Sequence, residues 1–393
     1  MSAFIADWLN ILLRWAHLVV GITWIGTSFY FIALDLSLRA REKMNPGVFG
    51  TAWQVHGGGF YQVEKYTVAP EALPEDLQWF KWDAYLTWVT GFGLLLTQYY
   101  FNASAYLIDK SVLDLRPGEA ILISLLTMGG GWFLYDRVCR SRIGQNTALL
   151  AIVVFLGIVA ASYMLTNVYS GRGAFIHVGA LVGTIMACNV FMIIVPNQRK
   201  IVASLLKGEA ADPKYGKIGK QRSVHNNYLT LPVLVMMVSN HYPLLTGHPH
   251  SWLLVALILV IGAMVRHFIN RHEGGDHFRE ISWTLPIAAI ALVIAILMTA
   301  PRVDPAMAGR AVADADVTAI VRTHCVACHA ATPTHEGFTE APKGIMLESL
   351  EDVRRYAALV DMQAVKSEAM PLGNETGMTE DERHILGAWI AGQ

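Results

Sequence analysis

Residues 325–329 read Cys325-Val326-Ala327-Cys328-His329, two thiols three positions apart followed at once by an imidazole. This is the C-x-x-C-H pattern of covalent c-type haem attachment. Two thioethers would anchor the porphyrin edge while the adjacent His329 reaches the iron from one face. The opposite ligand must come from further along the chain. Met370, followed by Pro371, is the best candidate, and a thioether there raises the reduction potential. Met378 and Met346 are further candidates. One covalent haem c is therefore expected. The alternatives are a chance match or a zinc site, which normally needs four ligands; His324 and His335 make that conceivable. Cys139 and Cys188 read as small apolar residues.

A haem c carries single electrons, so other residues must supply or accept them. Two stretches have the right types. In Gln54-Val55-His56-Gly57-Gly58-Gly59-Phe60-Tyr61, with Lys65 beyond, consecutive glycines let backbone approach a ligand closely. In Lys220-Gln221-Arg222-Ser223-Val224-His225-Asn226-Asn227-Tyr228, the amides of Asn226 and Asn227 read both donors and acceptors of a heterocycle. Arg222 can meet an anion there. His225 and His56 are candidate bases, since a neutral imidazole takes a proton near pH 7. Gly58 and Lys65 join Arg222, Asn226 and Asn227 as candidate substrate contacts. Each feature also has an ordinary explanation: a flexible glycine turn, a basic residue at a membrane edge, a helix cap. His17 and His241 are alternative axial ligands for a b-type haem. That alternative is disfavoured because no duplicated His pair on facing helices is evident.

Hydrophobic residues make up 54% and charged residues 16%, well below the roughly 25% charge of soluble proteins. Such a deficit cannot cover a soluble surface, so the composition argues for a membrane protein. With a net charge of −1 there is no basic excess to hold a nucleic-acid backbone. Apolar windows long enough to cross a bilayer recur at 9–34, 84–101, 118–136, 148–166, 175–196, 228–246, 251–270 and 281–300. Within lipid these must be helices, because a helix satisfies its own backbone groups. The first window lacks the basic leader and cleavage site of a secretory signal and is expected to be retained. Odd-numbered loops carry 17 Lys or Arg and even-numbered loops 3, which places the odd loops in the cytoplasm and both termini outside. Haem c is attached outside the bacterial cytoplasm, in agreement with that orientation.

The expected fold is all-α: a polytopic bundle of about eight transmembrane helices at 1–300, a Pro- and Ala-rich linker at 301–315, and a small domain at 316–393 like a class I cytochrome c. MTEDERHILGAWI near the end reads as a capped amphipathic helix with Thr379 as N-cap and Glu382 at N3.

Together these residues resemble the integral-membrane, cytochrome c-linked urate oxidases, also called membrane urate hydroxylases. The likeness rests on WAHLVVGITWIGTSFYF, HGGGFYQVEKY, FKWDAYLTW, GTIMACNVFMIIVPNQR and RSVHNNYLTLPVLVMMVSNHYP, and on the terminal CVACH domain. It implies oxidation of urate to 5-hydroxyisourate in the bacterial inner membrane. Water supplies the oxygen, and electrons leave through the haem to a soluble cytochrome c or terminal oxidase, without peroxide. The alternative is an electron-transfer subunit fed by a quinol or a partner complex. One difficulty concerns depth: His225 to His241 spans roughly 24 Å of helix at 1.5 Å per residue, with the haem at the outer side. Either the substrate sits at the cytoplasmic mouth and an intermediate carrier is needed, or it lies deeper, near His17, Asn189 and His241.

Overall fold

The structure is a computed structural model that describes residues 3–68, 70, 73–300, 312–336, 338–367 and 369–392. It is mostly helical. The first helix, α1 (Ala3–Ser37), is apolar along nearly its whole length and exposed along most of it, as a helix facing lipid would be. Then comes α2 (Trp82–Leu95), which loosens into a π-turn over Leu96–Tyr100. Next are α3 (Pro117–Arg140), α4 (Thr147–Thr166) and α5 (Gly171–Cys188). From α5 the chain passes through a π-segment, Asn189–Ile194, and continues helically to Leu206. The bundle closes with α6 (Pro213–Val238), α7 (Ser251–Glu273) and α8 (Thr284–Thr299).

Among the described residues six helices are long and apolar enough to cross a membrane, and they point to a membrane protein. The expectation was eight. The two windows outside this set, 84–101 and 228–246, are also helical, but differently bounded. The first is split by the π-turn. The second belongs to α6, which starts fifteen residues earlier and carries the exposed Lys214, Lys217 and Lys220 and the buried Arg222 before ending at Val238.

The core is built around α5. Its Gly173, Ala174, Gly179 and Ala187 are buried, and small residues let neighbouring backbones come close. It packs on α2, α3, α4 and α6, while α7 packs on α4, α6 and α8. At the α6–α7 crossing a Cβ on Gly262 would lie 2.6 Å from Cδ of Pro232, so only glycine fits.

The purely helical expectation is corrected by one hairpin, β1 (Val48–His56) and β2 (Gly59–Tyr66), paired antiparallel with His56 opposite Gly59. Gly57 (φ 58°) and Gly58 (φ 81°) form its two-residue turn. Positive φ at both turn residues matches the right-handed twist of the strands. The hairpin lies along the end of α1: Ala52 is buried against Leu34 and Leu38, and Tyr30 donates to Oε1 of Gln54 at 2.6 Å.

Residues 301–311 of the expected linker lie outside the described residues; Asp314 already opens a helix. The C-terminal part has its own apolar core, which includes Val317, Ile320, Val353, Leu386 and Trp389. Its main helices are α9 (Asp314–His324), α10 (Leu350–Arg355) and α11 (Glu380–Ala391). The α11 start has the expected capping box, with Thr379 receiving the Glu382 N–H and Glu382 receiving the Thr379 N–H. This part seats on the end of the bundle where α5 begins. A Cβ on Gly373 would lie 2.7 Å from the Ile108 carbonyl, and one on Gly247 would overlap the Ser367 carbonyl.

Candidate functional site

Three elements bring polar side chains together inside the bundle. On α6, Arg222 and Asn226 are one turn apart and His225 is beside them, so all three reach toward α3 and α5. On α3, Tyr135 and Asp136 are consecutive, with Arg140 one turn beyond Asp136. On α5 the helix loosens at Asn189, and such π-segments frequently mark functional sites.

The contacts form a connected network. Nδ1 of His225 lies 2.6 Å from the Tyr135 hydroxyl. Asn189, fully buried, uses Nδ2 to donate to that hydroxyl at 3.0 Å and to Oδ1 of Asn226 at 2.9 Å. Nδ2 of Asn226 donates to the Met186 carbonyl at 2.9 Å, so both ends of this amide are engaged. Arg222, 1% exposed, donates through Nη2 to Oδ1 of Asp136 at 2.7 Å. Arg140 donates to the other Asp136 oxygen at 2.6 Å. The Arg222 guanidinium lies 4.9 Å above the Tyr135 ring. Nε and Nη1 of Arg222 and Oδ1 of Asn189 have no partner among the described residues. A buried polar atom without a partner is costly unless something fills the role.

Asn227 is elsewhere. Successive helical residues are about 100° apart, so it faces away from His225. It accepts at Oδ1 from Asn270 Nδ2 at 2.8 Å, on α7.

The structure does not bring the remaining candidates to this network. His56 and Gly58 are exposed at the tip of the hairpin, where the glycines form the turn. Lys65 pairs with Asp35, which also accepts from Lys220 at 3.0 Å. Nδ1 of His17 meets the Thr87 carbonyl at 3.0 Å and Oγ1 of Thr90 at 3.1 Å, and this holds α1 to α2. His241 is exposed in a turn after α6. Among the described residues no hydrogen bond links His17, Asn189 and His241; Asn189 instead donates to Tyr135 and Asn226. Sequence reasoning missed Tyr135, Asp136, Arg266 and Asn270. Asp136, Arg266 and Asn270 were visible as polar residues inside apolar windows, which are functional candidates by default.

In the C-terminal part, Cys325 and Cys328 follow α9 directly and are free thiols. Burial, with Cys328 second, pushes the Cys325 thiol up to about 11. The Cys325 carbonyl accepts from the His329 N–H at 2.9 Å, and Nδ1 of His329 meets the Ile345 carbonyl at 2.8 Å. Met370 is half-buried, and its carbonyl accepts from Arg383 at 2.7 Å. Met378 is buried in the core and Met346 is 41% exposed. His324 meets Thr376 at 2.7 Å and Glu382 at 3.2 Å. Among the described residues no group of three or more His, Cys, Asp or Glu converges as a metal site would require.

Comparison with curated proteins and with solved structures gave no match. Residues 3–300 match the family model described as urate oxidase N-terminal. That match covers the whole helical bundle and its polar network. The chain belongs to the urate oxidase N-terminal family, which points to an oxidoreductase acting on urate.

Proposed function

We propose that the chain is a membrane-bound urate oxidoreductase that forms 5-hydroxyisourate and delivers the electrons to a c-type haem on its C-terminal part. In the balanced step, urate and one water give 5-hydroxyisourate, two protons and two electrons, which leave one at a time through the haem to two one-electron acceptors. The observation that carries this proposal is the part-buried Tyr135–His225 contact of 2.6 Å beside the buried Arg222, within a chain of the urate family.

With Nδ1–H of His225 donating to the Tyr135 oxygen, Nε2 is the unprotonated nitrogen that takes the proton of the attacking water. Arg222 has donors to spare: Asp136 takes one N–H, and the free Nε and Nη1 offer two more to a flat anion. Asn226 is a positioning residue, since its amide is used up between Asn189 and the Met186 carbonyl. Asn189 keeps a free Oδ1 for a ring N–H.

The C-terminal residues fit a covalent haem. Cys325 and Cys328 would carry the thioethers. His329 would ligate through Nε2, because Nδ1 is held by the Ile345 carbonyl, the usual second contact that fixes a ligating imidazole. Met370 would supply the second ligand. Bound there, the group accepts single electrons. The seating of the Met370 segment against residues 103–108 supports transfer from the bundle. Counting α6 and the Trp82–Tyr100 segment as spans gives eight. The excess of basic residues in odd-numbered loops then puts both termini in the periplasm of a bacterial inner membrane. A soluble cytochrome c or a terminal oxidase would accept the electrons.

Adding urate to the purified, oxidised protein without oxygen tests this. The expected result is the reduced c-haem spectrum, with one 5-hydroxyisourate formed for every two haems reduced. A haem that stays oxidised with urate but is reduced by dithionite would overturn it.

A further inference from the structure

On the face of α6 turned away from His225, a second set of buried polar atoms lacks partners. The Asn227–Asn270 bond of 2.8 Å uses one end of each amide. Nδ2 of Asn227 and Oδ1 of Asn270 have no partner among the described residues, and the two residues are 0% and 8% exposed. One turn before Asn270 on α7 stands Arg266, 3% exposed, with Nε and Nη2 also lacking partners. Its guanidinium lies 3.8 Å from the centre of the Phe29 ring on α1, which fixes the plane of the fork.

The two buried arginines differ in one respect. Arg222 has Asp136 at 2.7 Å. Arg266 makes no ion pair within 4.0 Å among the described residues. Glu273, two turns further along α7, acts on Arg266 only from beyond that distance, so the buried guanidinium keeps its free N–H donors for an anion in contact.

We infer that Arg266, Asn227 and Asn270 form a second ligand seat, which takes a planar anionic heterocycle of the urate type. The Arg266 fork offers two N–H donors to an anionic ring edge. Asn227 offers a further donor to a ring carbonyl, and Asn270 offers an acceptor to a ring N–H. A spherical or oxygen-only anion has no N–H for Asn270, so the pair of amides selects a heterocycle. The choice of urate as the ring rests on the proposed function.

The test is calorimetric titration of urate into the purified full chain, pre-reduced with dithionite so that no turnover occurs. Two urates per chain are expected, falling to one in Arg266→Gln and to one in Arg222→Gln. Should Arg266→Gln fail to fold, Asn227→Asp keeps the shape and sets a negative charge against the ligand. That change should weaken one of the two sites by about tenfold or more. A single urate lost in Arg266→Gln alone would support this seat and remove Arg222 from binding. A single urate lost in Arg222→Gln and unaffected by Arg266→Gln or Asn227→Asp overturns the seat but leaves the proposed function intact. No urate bound at all overturns both.

Discussion

Tyr135 on α3 and His225 on α6 meet at 2.6 Å through the phenol and Nδ1. Because Asn189 also donates to that phenol, three helices fix the orientation of one imidazole. If His225 takes a proton from water, its replacement should be severe. His225→Ala is expected to slow urate-driven haem reduction by about 10²-fold or more, the usual worth of a positioned base. Tyr135→Phe keeps the ring but loses the hydroxyl, and about a tenfold loss is expected. Stopped-flow spectra without oxygen measure both, and the haem content should be unchanged.

His56 gives the opposite expectation. It stands exposed at the hairpin tip, and no hydrogen bond links it to the α6 network among the described residues. His56→Ala should change the urate oxidation rate by about twofold at most, as exposed substitutions do. A loss comparable to that of His225→Ala would return His56 to the site.

Asp136 neutralises Arg222 from inside the bundle. Asp136→Ala leaves that guanidinium buried and unpaired, a loss of about 3–5 kcal/mol. Thermal unfolding in detergent should show a markedly lower midpoint. The double change Asp136→Ala with Arg222→Met should recover much of it.

Gly262 and Pro232 touch where α6 crosses α7. Gly262→Ala would place a methyl 2.6 Å from Cδ of Pro232, and overpacking of this kind costs about 1–3 kcal/mol. Because the same helix pair carries Asn227 and Asn270, urate affinity should fall along with the unfolding midpoint.

Met370 tests the haem proposal. Met370→Ala should lower the reduction potential and alter the visible spectrum, since a thioether ligand raises the potential. The covalent link through Cys325 and Cys328 should survive denaturation. An unchanged spectrum would shift the ligand to Met378 or elsewhere.

Much of this was legible in the chain alone. Apolar windows near bilayer length give helices because lipid offers backbone groups no other partner, and six of the eight are helices of spanning length. Local capping chemistry was legible for the same kind of reason: Thr379 and Glu382 need only each other and the intervening turn.

What the chain could not reveal depends on contacts between distant segments. Asp136 and Arg222 are 86 positions apart, and Tyr135 and His225 are 90 apart; no periodicity links them. Nor does adjacency in sequence mean adjacency in space. Asn226 and Asn227 read as one motif, yet about 100° of helical rotation sends one to α5 and the other to α7. His56-Gly57-Gly58 read as a ligand loop, but the positive φ of its glycines makes it a hairpin turn. Composition and local pattern therefore determined the helices and the residue types on offer. Only the packing of α3, α5, α6 and α7 decided which of them share a buried, water-poor interior, where an unpaired donor or charge requires a partner.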